Sequence, residues 1–168
     1  MLGLTTLGIA HTAIGLVALV CGFWSLARDK EISPTNGTGR TYLVTTFFTA
    51  ASGLGIFQHG GFGPPHALSI LTILALAVGT VAALRDAFGR WSRDVQAVSY
   101  SATVLFHLIP GFTETLTRLP AGKPLLPNAQ APEFQLIYGA LFLLFAIGVT
   151  LQLRWLHGGA RPVLVRAA

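Results

Sequence analysis

"LGIAHTAIGLVALVCGFW", residues 7–24, contains no Lys, Arg, Asp or Glu and a single imidazole, His11. About 20 mostly apolar residues suffice to cross a hydrocarbon core of about 30 Å, and with its flanks this stretch makes a span over 4–27. The rest of the chain follows it. Of 168 residues 52% are apolar and only 10% charged, and the mean hydropathy is +0.65. A soluble domain carries roughly 25% charged residues, so this chain lacks the groups to cover itself with a solvated surface. Four further segments, 41–59, 66–84, 95–117 and 134–156, repeat the pattern. Each is too long for a strand and lacks period-two alternation, which leaves the helix as the spanning structure. The expectation is an all-α integral membrane bundle of five transmembrane helices, one domain over 1–168.

The first segment has no basic n-region and a longer apolar run than a signal peptide. It reads as a retained span. Cys21 is the one cysteine, which excludes an internal disulfide and any cysteine metal cluster.

Charge orients the bundle. Arg28, Lys30 and Arg40 fall in the first connection, Arg85, Arg90 and Arg93 in the third, and Arg154, Arg161 and Arg166 toward the C-terminus. The alternate connections hold only Arg118 and Lys123. The positive-inside rule then predicts an outside N-terminus and a cytoplasmic C-terminus in a bacterial inner membrane. The net charge of +5 is explained by topology and attraction to anionic lipid heads, with no nucleic acid partner required.

Polar residues inside the spans carry the functional question. Gly8, His11, Gly15, Ala18 and Gly22 recur at three and four, a small-residue seam of the kind that lets helices approach closely. His11 lies on it, roughly 10 Å below the outer end of its helix. In span four Ser99, Thr103 and His107 share a face that continues outward through Pro110, which should kink the helix, to Glu114. Thr45, Ser52 and Gly55 lead to His59, and His66, Ser69 and Ile73 share a face of span three. "FQHGGFGPPHALS", residues 57–69, places His59 and His66 around a tight outer turn that makes spans two and three antiparallel neighbours. Four of the five histidines thus belong to the outer half; His157 reads as interfacial. Gln58, Gln135 and Tyr138 are weaker candidates for the same cavity. The proline-rich loop 118–133 is placed to lie over it, or to serve as a stiff tether.

Ionisable groups in lipid are costly and usually mark function. Bis-imidazole ligation of haem b by His11 and His107, with His59 and His66 as a shallower pair, suits a helical bundle. A metal held by His11, His107 and Glu114 is a second option, though no HxxxH, HExxH or CxxC spacing is present. A quinone pocket would need one histidine or tyrosine and an apolar cleft. Neutral imidazoles bonded to hydroxyls of a neighbouring helix are the structural alternative.

The stretch "NGTGRTYLVTTFFTAASGLG", residues 36–55, with the internal histidine of span one, resembles a bacterial multi-pass family known only as a predicted-membrane domain. More distantly the chain is similar to small b-type transmembrane cytochromes. That family often carries His-Arg at the start of its second span, where this chain has Thr38 and Gly39 before Arg40. The resemblance implies haem b and transmembrane or quinone-linked electron transfer. The alternative is an accessory or assembly subunit that packs against other membrane subunits.

Overall fold

The computed structural model of the chain describes residues 5–57 and 61–158. It consists of five long helices: α1 Thr6–Asp29, α2 Gly37–Gly53, α3 Pro64–Arg85, α4 Ser92–Arg118 and α5 Glu133–Gly158, with a single 3₁₀ turn, Gly89–Trp91, leading into α4. No strand occurs among the described residues.

Local chemistry sets the helix ends. Thr5 accepts a hydrogen bond from the amide of Gly8 and starts α1. Lys30 closes α1 in the left-handed conformation, φ 61°. Pro64 and Pro65 open α3, where the missing amide hydrogens cost nothing. α4 runs on through Pro110. Trp91 ends the 3₁₀ turn, with Arg90 stacked 4.8 Å over its exposed indole.

α2 departs most from the expected bounds of 41–59. Asn36 caps it by accepting from the Gly39 amide at 2.7 Å, so it begins before the apolar run. Beyond Gly53 the amides of Gly55 and Ile56 turn back onto Ser52 and Gly53, and the helix ends. Its 17 residues span about 25 Å. α1, α3, α4 with its leading turn, and α5 are each long and apolar enough to cross a membrane; α2 is shorter and richer in threonine.

Consecutive helices pack as neighbours, and α1 also meets α4, closing a four-helix bundle. α5 packs on α4 alone among the major helix pairs. One end of the bundle carries Arg28, Lys30, Arg40, Arg85, Arg90, Arg93 and Arg154; the other carries Arg118 and Lys123. We call these the basic end and the histidine end. At the basic end Arg93 of α4 bridges Glu31 at 2.9 Å, and His157 of α5 lies 2.9 Å from Asp94. The centre is filled by Ala18, Tyr42, Leu76, Tyr100 and Val104, with Cys21 packed against it.

Two glycines accept tyrosine rings. An ideal Cβ on Gly22 would lie 2.7 Å from the Tyr42 ring, and one on Gly79 would lie 2.5 Å from Tyr100. The seam read from span one is therefore real: Gly8, Gly15, Ala18 and Gly22 are all buried.

One side chain ties α5 both to α4 and to the end of α1. Gln152 of α5 accepts from Ser101 of α4 at 2.9 Å and donates to the Lys30 carbonyl at 2.7 Å. Gln152→Leu is expected to lose about 1–2 kcal/mol, read as a lowered melting temperature in detergent. Gln135→Leu, on the exposed surface of the same helix, should leave it unchanged.

Candidate functional site

The polar interior is built around one face of α2. Tyr42, Thr46, Thr49 and Gly53 follow at intervals of four, three and four, and the first three are buried. Sequence reasoning named Thr45, Ser52 and Gly55; of these Ser52 borders the face and is the partner of His11. Thr45 in fact turns back to the Thr41 and Tyr42 carbonyls. The signal was present in the spacing, but the Thr-rich run offers two faces, and only the neighbouring helices choose between them.

His11 reaches this face from α1. Its Nδ1 lies 3.0 Å from Ser52 Oγ, with the Thr49 carbonyl alongside. The Ser52 hydroxyl donates to that same carbonyl at 3.0 Å, so its oxygen accepts from the imidazole. The His11 ring also passes the backbone of α2, its Cε1 3.3 Å from where a Gly53 Cβ would stand.

His107 reaches the face from α4. Its Nε2 lies 3.1 Å from Thr46 Oγ1, and its Nδ1 lies 4.0 Å from the Cβ position of Gly15 on α1. Beside it the Tyr42 hydroxyl donates to Thr103 Oγ1 at 2.6 Å, and Thr103 donates to the Tyr100 carbonyl at 2.7 Å. Tyr42 also meets His107 edge-on, centroids 6.4 Å apart. Of the face read over Ser99, Thr103, His107, Pro110 and Glu114, Thr103 and His107 meet α2, while Ser99 lies against Gly79 of α3. The two deep imidazoles also lie within electrostatic reach of one another.

The other expected ligands among the described residues do not join them. His66 sits at the start of α3, where its Nδ1 accepts the Gly63 amide at 3.2 Å and its ring stacks between Phe57 and Phe62. That imidazole is a helix cap. His59 and Gln58 lie outside the described residues. Glu114 pairs with Arg118 one turn along, within electrostatic reach of His11. Among the described residues no group of three or more His, Cys, Asp or Glu side chains forms a metal shell, so His11, His107 and Glu114 do not make one. Tyr138 bonds to Thr113 at 2.7 Å and ties α5 to α4. The loop 118–133 folds back on the end of α4, the Leu126 amide donating to the Leu116 carbonyl.

A haem between His11 and His107 requires two imidazoles facing each other across an open slot. Here His107 has one nitrogen on Thr46 and the other 4.0 Å from the Cβ position of Gly15. A Cβ on Gly15 would stand 3.4 Å from the Thr49 methyl, so α1 and α2 meet without intervening space. As they stand, the two rings each engage a hydroxyl of α2. Gly39 packs on the Ser33 carbonyl with no room for a side chain.

Comparison of the chain with protein-family models, with curated proteins and with solved structures finds no match.

Proposed function

We propose that this chain is a five-span protein of the bacterial inner membrane, N-terminus outside, acting as a non-enzymatic accessory subunit whose histidines are structural. The observation that carries this reading is that both deep imidazoles are bonded to hydroxyls of α2, His11 to Ser52 and His107 to Thr46. In lipid such bonds lock helices together. The two histidines key α1 and α4 to the same face of the shorter, more polar α2. The gathering of cations at one end supports the orientation.

The reading predicts a coupling. Thr46→Val and His107→Phe each break the same bond, so a double-mutant cycle should return about 0.6–2 kcal/mol. An absorption spectrum of folded, detergent-purified protein should show no Soret band.

A redox reading keeps one observation in its favour. Metal-bound histidines usually engage their second nitrogen with a hydroxyl, carbonyl or carboxylate, and His11 does so through Nδ1. Haem b ligation would require the His107 ring to leave Thr46. A Soret band lost in His11→Ala would replace the accessory reading with this one.

A further inference from the structure

Because α5 packs on α4 and is joined to α1 through Gln152, the flank between α1 and α5 stays open. A groove of about 810 Å³ runs along it, floored by α4 and walled by apolar side chains such as Phe23, Leu108 and Phe145. Its volume lies within the range of ligand-holding cavities. Its polar groups are gathered at the basic end: Lys30, Ser101, Gln152 and the indole of Trp155.

Lys30 distinguishes this groove from ordinary lipid-facing surface. Both neighbouring carboxylates are already engaged, Asp29 by Arg28 at 2.7 Å and Glu31 by Arg93 at 2.9 Å. Among the described residues the Lys30 ammonium meets the Ala27 carbonyl at 2.6 Å and no carboxylate. Lys30, a lining residue whose ammonium meets no carboxylate among the described residues, therefore sets a cationic side chain at the basic end of an apolar groove. Ser101 and Gln152 satisfy each other and the Lys30 carbonyl, so the groove wall presents no unmet polar demand along its length. The complementary molecule has a long apolar chain and an anionic head.

We infer that this groove binds an anionic phospholipid, one acyl chain lying along α4 and the phosphate on the Lys30 ammonium. Basic pockets between helices at membrane surfaces recognise lipid heads in this way. The inference is independent of the histidine reading, since no histidine lines the groove.

Tryptophan quenching tests it. With Trp24 and Trp91 changed to Phe, Trp155 is the remaining indole and lines the groove. The full chain is reconstituted with phospholipids brominated on their acyl chains, carrying either phosphatidylglycerol or phosphatidylcholine heads. Phosphatidylglycerol should quench Trp155 with about fivefold preference, weakened by salt. The preference should disappear in Lys30→Gln. Gly148→Phe projects into the groove from a position with nothing within 4 Å of its Cβ. That variant should fold and lose the preference while its Lys30 remains. Equal quenching by both heads, or a preference that survives Lys30→Gln or Gly148→Phe, overturns the proposal. Absence of quenching by either lipid, as when another chain covers the groove, overturns it too.

Discussion

Gly39→Ala should leave little folded protein, whereas Gly37→Ala, two residues earlier on the same helix, should be tolerated. An ideal Cβ on Gly39 would lie 1.9 Å from the Ser33 carbonyl oxygen, a backbone atom with no rotamer to escape into. Nor can Ser33 withdraw. Its neighbour Ile32 is fully buried, and the Ile32 carbonyl accepts a hydrogen bond from Gln96 of α4 at 3.1 Å. Relief would therefore have to move the α1–α2 connection, α2 and the Gln96 contact together. Overpacking of a rigid core costs about 1–3 kcal/mol and occasionally more; a backbone obstruction of this kind should cost about 3 kcal/mol or more. Gly37 has nothing within 4 Å of its Cβ position, and alanine there should stabilise the helix by up to about 1 kcal/mol. The measurement is the yield and melting temperature of monodisperse protein in mild detergent. Equal behaviour of the two variants would contradict the packing described at Gly39.

The second large effect is expected at Tyr42. Its side chain is fully buried, lies against Gly22, and bonds to Thr103. Tyr42→Ala should cost about 3–5 kcal/mol through the cavity it leaves. Tyr42→Phe should cost about 0.6–2 kcal/mol, the range of an interhelical hydrogen bond in lipid. Gly22→Leu alone should also be severe, because its side chain enters the space of the ring. Together, Gly22→Leu and Tyr42→Ala should be less damaging than the sum of the two, by about 0.5–3 kcal/mol, since leucine occupies part of the vacated volume. Strict additivity would mean that the two residues do not share that volume.

The helices were legible because lipid imposes its requirement segment by segment: a run must be long, apolar and internally hydrogen-bonded. The glycine seam of α1 was legible for a related reason, since close approach demands the absence of side chains wherever the partner comes from. α2 was less so. Its apolar run suggested 41–59, but Asn36 started the helix earlier and the turns after Gly53 ended it sooner. Capping and termination are matters of local hydrogen bonding that hydropathy does not register.

The site was legible only in part. Placing His11 and His107 inside the bundle followed from their helical faces. Their partners did not, because a hydroxyl on α2 is chosen by the rotation and register of three helices at once. His66 illustrates the limit. From spacing alone it resembled a ligand paired with His59, yet its Nδ1 is engaged by the amide of Gly63, a backbone group without any side-chain signature.

Composition and charge by themselves determined that this is a helical chain suited to lipid, with its cations gathered at one end, because those properties are sums over residues and need no knowledge of contacts. Tertiary structure alone decided that His11 and His107 meet hydroxyls of α2 and that α5 stands away from α1 to leave a groove. Hydrogen bonds and open volume exist only between elements, and their geometry depends on how far apart the helices settle when their side chains meet.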